Sequence, residues 1–133
     1  MVSFIPKGRL GNFLFETATS FAYAKKHNIE FSVPFESKDE VWNPIYLKHL
    51  RNENFDTNKP VYVLKEMQHK YNELEFNKNW DLDSHNIFID GYRQSEKYFC
   101  DYREEILEAF GFPYKKNEGV VSIHIRRGDY LKY

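Results

Sequence analysis

Cysteine is nearly missing from this 133-residue chain: Cys100 stands alone, so no internal disulfide can form and a reducing compartment is expected. With no reactive signature around it, its expected role is packing within a helix. An excess of charge of one sign is missing too, since 19 basic and 20 acidic residues leave a formal net charge of -1. That balance provides no overall field to draw the chain to nucleic acid or to an anionic membrane. Long apolar runs are lacking, and the opening Met1–Pro6 segment is too short and too soon broken for a signal peptide or membrane span. Cytoplasmic location is the default expectation. Repeats and low-complexity tracts are not found. Aromatics, by contrast, are plentiful: 12 Phe and 10 Tyr can build a core in a chain whose mean hydropathy is -0.72. The length suits one compact, soluble, globular core.

The chain opens as a βαβ unit. Val2 to Ile5 reads as a short buried strand stopped by Pro6, followed by the loop Lys7-Gly8-Arg9-Leu10-Gly11 and by Asn12 as helix N-cap. Leu14, Ala18, Phe21 and Ala22 recur at helical spacing. Lys25, Lys26 and His27 suit the negative end of the helix dipole, and Asn28 can end the helix in a left-handed conformation. Glu30 to Val33 reads as the next strand, stopped by Pro34, which predicts a parallel sheet. Farther on, Asn43-Pro44 opens a short helix through about Leu50. Pro60 to Leu64 and Asn86 to Asp90 read as strands, and residues 66 to 85 carry no clear periodicity. Ser95 is expected to cap a helix whose apolar face is Phe99, Tyr102, Ile106 and Phe110, with Gly111 as its stop. A polar stretch, Pro113 to Gly119, reads as a linker before a last apolar strand, Val120 to Ile123.

Two segments carry the pattern of an anion site. In the first loop, two glycines allow a tight turn and a close approach of backbone to ligand, and the helix behind them aims free amides at it. Arg9 adds a full charge and Asn12 an amide. The loop lacks the third glycine of a dinucleotide fingerprint and the Gly-Lys-Ser/Thr of a Walker loop. An ordinary βα turn, with Asn12 as cap and Arg9 in solvent, is the plainer reading. The second segment is His124-Ile125-Arg126-Arg127-Gly128-Asp129-Tyr130. Alternation along a strand puts His124 and Arg126 on one face, while Ile123 and Ile125 anchor the other. Guanidinium groups recognise phosphate in a planar, bidentate way, and a strand's carboxyl end is where open α/β sheets hold ligands. Asp129 is placed to orient a guanidinium across the turn. Asp81-Leu82-Asp83 has a spacing compatible with metal binding but reads as a solvated loop, and the five histidines show no metal-ligand pairing. No bound metal is expected.

Gly8-Arg9-Leu10-Gly11-Asn12, Gly91-Tyr92-Arg93-Gln94-Ser95-Glu96-Lys97-Tyr98-Phe99 and His124 to Tyr130, in that order, resemble the α-1,2-fucosyltransferase family. The resemblance implies the GT-B fold, two Rossmann-like halves facing across a cleft, of which this chain would supply the α/β N-terminal half with a mostly parallel sheet and flanking helices. It implies metal-independent, inverting transfer of fucose from GDP-β-L-fucose to a galactoside hydroxyl of an oligosaccharide acceptor, with no cofactor. Arg126 would grip the donor pyrophosphate as the catalytic residue, with Arg127, His124 and Asp129 in the nucleotide pocket. Arg9 and Asn12 would reach the same phosphates from the opposite half. Preorganised guanidinium groups can stabilise the charge that builds on a departing diphosphate without a metal. Phe13 stands where the family usually has Gln, which removes one polar group near the loop. The resemblance covers about the first half of a family member. On that basis residues 1–112 are expected to form the acceptor-side domain, 113–119 a linker, and 120–133 the start of a donor-binding domain. Asp129 and Glu16 are the general-base candidates. The competing expectation is a non-catalytic GDP-sugar-binding or oligomerising remnant, self-associating through the surface that the missing half would cover.

Overall fold

The computed structural model describes residues 1–34, 45–67, 70–111, 119 and 123. Three strands, β1 (Val2–Phe4), β2 (Val61–Lys65) and β3 (Asn86–Asp90), form a parallel sheet in the order β1-β3-β2. Val2 lies opposite Ile87 and Phe4 opposite Ile89, while Val61 faces Asn86 and Lys65 faces Asp90. The last strand in sequence among the described residues is therefore the central one. β1 is buried along its whole length, Ser3 included. β2 alternates: Val61 and Val63 point outward, and Tyr62 and Leu64 pack against the core.

The expected strand at residues 30–33 shrinks to one parallel bridge, Val2 with Phe31. The Val2 N–H donates to the Glu30 carbonyl at 2.8 Å and the Ser32 N–H to the Val2 carbonyl at 3.0 Å, so the βαβ arrangement holds. Pairing goes no further because the next backbone groups turn to another segment. The Val33 N–H donates to the Leu50 carbonyl, and the Asn52 N–H to the Ser32 hydroxyl. Residues Ile45–Leu50 wind as a 3-10 helix that buries Leu47. The expected start of that helix at Asn43-Pro44 lies outside the described residues.

Helix α1 (Leu10–Lys26) covers the sheet with Phe13, Ala18, Ala22 and Tyr23. Phe13 meets Phe4 edge-on, ring centroids 5.0 Å apart. The helix ends as expected. Asn28 is left-handed, with φ 54°, its N–H donates to the Lys25 carbonyl, and the Ile29 N–H reaches back to the Ala24 carbonyl. Its start is not as expected. Arg9, not Asn12, is the N-cap, because Gly8 turns the chain with φ 69° and the Arg9 carbonyl already accepts the Phe13 N–H. Asn12 sits inside the first turn with its side chain free for other work.

Beyond β3 the continuous helix expected from Ser95 is broken into 3-10 turns at Glu96–Tyr98 and Cys100–Tyr102, followed by α2 (Arg103–Ala109). Phe99, at φ -144° and ψ 6°, interrupts the spiral, and the Tyr98 hydroxyl is drawn inward by Asn72 and Arg93. The apolar face survives the break: Ile106 and Phe110 are buried, and Phe99 and Tyr102 pack against them. Gly111, φ 68°, ends the segment. Cys100 is exposed, its thiol facing the Asp101 carboxylate at 3.6 Å. The expected packing role fails because the 3-10 turn carries it to the surface.

Residues 70–85 are irregular, as their lack of periodicity implies, and are anchored by ring stacking. Trp80 lies parallel on Tyr62 at 4.7 Å, and His85 stacks on the same tyrosine at 4.5 Å. Of the expected strand 120–123 only Ile123 is described. It is 84% exposed and outside any strand, so the expected burial of this residue is not met: no described element packs over it. The 113–118 part of the linker and residues 124–133 lie outside the described residues. Among the described residues, no helix is long and apolar enough to cross a membrane.

Candidate functional site

β1 and β3 are parallel neighbours, so the loops that follow them leave the sheet side by side at its carboxyl edge. That edge is where open parallel sheets take ligands. Glycines let both loops pack closely. At Gly8 an added Cβ would collide with the Asn12 amide and sit 3.2 Å from the Tyr92 ring. At Gly91, φ 121°, it would run into the Glu66 side chain. The Gln94 Nε2 donates to the Asn12 Oδ1 at 2.5 Å and ties the second loop to the first turn of α1.

The start of α1 is open. No side chain caps it among the described residues, and its first turn contains no acid. Its first amides and the positive end of its dipole therefore face outward, beside the exposed Arg9. Behind the loop lies a cluster of charges. The Lys7 ammonium pairs with Asp90, which raises the lysine pKa. The Lys7 N–H donates at 3.1 Å to the Glu16 Oε2, from the second turn of α1. Glu16 is 0% exposed, and its Oε1 has no hydrogen-bond partner among the described residues. Burial pushes its carboxyl up to about 8; Asp90 and Glu66 add to the rise, and the Lys7 amide and ammonium oppose it.

Among the described residues Arg93 is the other fully buried ionic group, and it closes the far side of the edge. Its backbone is left-handed at φ 51°. Its guanidinium donates to the Leu64 carbonyl at 2.8 Å, the Asp90 carbonyl at 3.2 Å, the Tyr98 hydroxyl at 3.2 Å and the Asn72 Oδ1 at 3.3 Å. One side chain thus clamps the carboxyl ends of β2 and β3. Glu66 completes the clamp by accepting the Tyr92 N–H at 2.9 Å and the Arg93 N–H at 3.2 Å.

A family model, glycosyl transferase family 11, matches residues 1–133, the whole chain. The chain belongs to glycosyl transferase family 11. No curated protein and no solved structure gives a match. The family is the one that the three sequence motifs resemble, and membership implies a sugar donor and a sugar acceptor.

Two of the residues expected to serve a family 11 site, Arg9 and Asn12, stand together on the carboxyl edge. His124, Arg126, Arg127 and Asp129 lie outside the described residues. Glu16, a general-base candidate, is sealed beneath the loop, where a substrate hydroxyl cannot reach its oxygens. Its role in this fold is to hold the Lys7 backbone. Asp81 works as a turn residue: its carboxylate accepts the Asp83 and Ser84 N–H groups and the Ser84 hydroxyl, which lowers its pKa. Among the described residues no three potential metal ligands cluster. Sequence reading had assigned no role to Lys7, Glu66, Asp90, Arg93 or Gln94. Arg93 and Gln94 fall in a family-like segment, and an arginine three residues beyond a buried strand must be paired if it is not exposed, which is the signal that would have found the clamp.

Proposed function

We propose that this chain acts as a family 11 fucosyltransferase, taking L-fucose from GDP-β-L-fucose and placing it on a galactoside hydroxyl in α-1,2 linkage. The observation that carries the reading is the contact between the Gly8–Asn12 loop and the Gly91–Gln94 loop through Asn12 and Gln94, at the mouth of an uncapped helix bearing Arg9. In the reaction the acceptor oxygen attacks the fucose anomeric carbon, the bond to the phosphate oxygen breaks, and its electron pair leaves with GDP. The hydroxyl proton passes to a base other than Glu16; Asp129 is the remaining candidate. Charge on the leaving diphosphate is met by Arg126 as catalytic residue and by Arg9 and the α1 amides, with Asn12, His124, Arg127 and Asp129 shaping the donor site. Neither metal nor cofactor takes part in this scheme. Residues 1–112 are in this reading the acceptor-side half of a GT-B enzyme in the cytoplasm, 113–119 its linker, and 120–133 the start of its donor-binding domain.

Isothermal titration with GDP, GDP-fucose and GDP-mannose tests the proposal. GDP-fucose should bind and Arg126→Ala should weaken it by about 10- to 100-fold, the scale of one hydrogen bond to a charged group lost. No binding of any nucleotide, or an Arg126→Ala variant with unchanged affinity, would sink the assignment. A second reading, a non-catalytic binding module that self-associates, is favoured by Val61 and Val63, which stand 45% and 40% exposed on the edge strand β2. Sedimentation separates the two: a monomer at all concentrations removes the second.

A further inference from the structure

Joined to Asn12 through Gln94, the carboxyl edge carries a small hollow lined by Glu66, Tyr71, Tyr92, Gln94, Ser95 and Tyr98. Resting on the transferase reading above, we propose that this hollow binds one pyranose ring of the acceptor. Four observations lead there. The first is size: a volume of about 120 Å³ is room for about four waters, enough to seat one edge of a hexose ring. The second is charge. The lining includes the Glu66 carboxylate, and the nearest cations are engaged by its rings, Lys97 over Tyr71 at 5.5 Å and Arg93 over Tyr98 at 5.4 Å, so the hollow suits a neutral polyol.

The third is chemistry. Three tyrosines offer flat apolar faces edged by hydroxyls, and the Glu66 carboxylate, the Gln94 amide and the Ser95 hydroxyl can direct hydrogen bonds to a sugar. The Tyr71 and Tyr98 rings lie 4.8 Å apart and are tilted by 50°, an open wedge rather than a closed stack. The fourth is rigidity. The Tyr98 hydroxyl is fixed by the Asn72 N–H and the buried Arg93, and Glu66 is fixed by two backbone N–H groups. These groups are ordered before any ligand arrives, which lowers the cost of binding. Through the Gln94–Asn12 hydrogen bond the hollow is also joined to the proposed donor loop. A ring bound there lies next to the diphosphate end of the donor, as a transfer partner must.

Tyr71 is the residue to change, because it is 47% exposed and stands outside the Arg93 hydrogen-bond network. Methyl β-D-galactoside serves as the probe, in NMR titrations of the whole chain, with GDP titrated separately. The expected results are amide shifts at Gln94 and Ser95, and a galactoside affinity that falls roughly three- to tenfold in Tyr71→Ala while GDP affinity holds. Shifts confined to other regions, no galactoside binding at all, or an unchanged galactoside affinity in a folded Tyr71→Ala would overturn the proposal. So would parallel loss of galactoside and GDP affinity, which would assign the hollow to the nucleotide. The amide-shift map needs no variant, so an unfolded Tyr71→Ala leaves the test standing. If wild-type protein ignores GDP yet takes galactoside in the hollow, the donor reading fails and the sugar site stands.

Discussion

Replacing Glu16 by glutamine should make the protein more stable, and by an amount that depends on pH. Glu16 keeps its proton in the fold until about pH 8, whereas its ordinary value is 4.5. Between those values the folded chain holds a proton that the unfolded chain releases, so stability falls as pH rises from about 4.5 to about 8 and is level on either side. At about 1.4 kcal/mol for each pH unit of displacement, the ceiling is about 5 kcal/mol. Partial relaxation of the surroundings brings the working expectation to about 2–4 kcal/mol. Glutamine has the same shape, can accept the Lys7 N–H, and never ionises. Urea unfolding of both proteins at pH 5.0, 6.5 and 8.0, followed by far-ultraviolet circular dichroism, isolates the effect, since every other titrating group is common to both (these pH values are about the span of the displaced titration). The variant should match wild type near pH 5 within about 1 kcal/mol and exceed it increasingly toward pH 8. A gap of equal size at all three pH values, or a variant weaker at pH 8, would refute the placement of an uncompensated buried carboxyl beneath the loop.

Arg93→Met should cost roughly 3–5 kcal/mol in the same unfolding experiment, because the Leu64 and Asp90 carbonyls, the Tyr98 hydroxyl and the Asn72 Oδ1 lose their buried partner; a loss below about 1 kcal/mol would show that the clamp is not needed. Gly91→Ala should lower stability by about 2–3 kcal/mol through overlap with Glu66 and an unfavourable φ, measured as a drop in urea midpoint. At Asn28, alanine should cost about 1 kcal/mol and glycine nothing beyond about 0.5 kcal/mol, a contrast that reads the left-handed helix end directly in thermal scans.

Much of the fold was legible where the signal is local. β1 and β3, the apolar face of α1 and the Asn28 stop rest on short-range patterns, and the structure reproduces them. Reading failed where a distant group outvoted the local preference. Asn12 looked like a cap, but Gly8 turned the chain early and left its amide for Gln94, 82 residues away. Ser95 looked like the start of one long helix, but Tyr98 is held by Arg93 and Asn72, and the spiral breaks. The strand order could not be read at all, since nothing in β2 or β3 alone says which of them lies against β1. For the site, Arg9 and Asn12 were visible in the glycine loop. The pairing of Glu16 with the Lys7 backbone was not, because a helical glutamate gives no sequence sign that it will be buried.

The position of β3 has a consequence for the making of the protein. It separates β1 from β2 in the sheet and pairs Val2 with Ile87. A nascent chain that has not yet delivered residues 86–90 therefore has its first strand, its first helix and its edge strand, and no means of joining them into a sheet. Until then the β1 residues, all buried in the finished protein, have one flank open. Assembly waits on contacts of long sequence separation, the slow class of folding step. During synthesis the amino-terminal third is the stretch most in need of shelter, and the arrival of β3 ends that exposure in a single event.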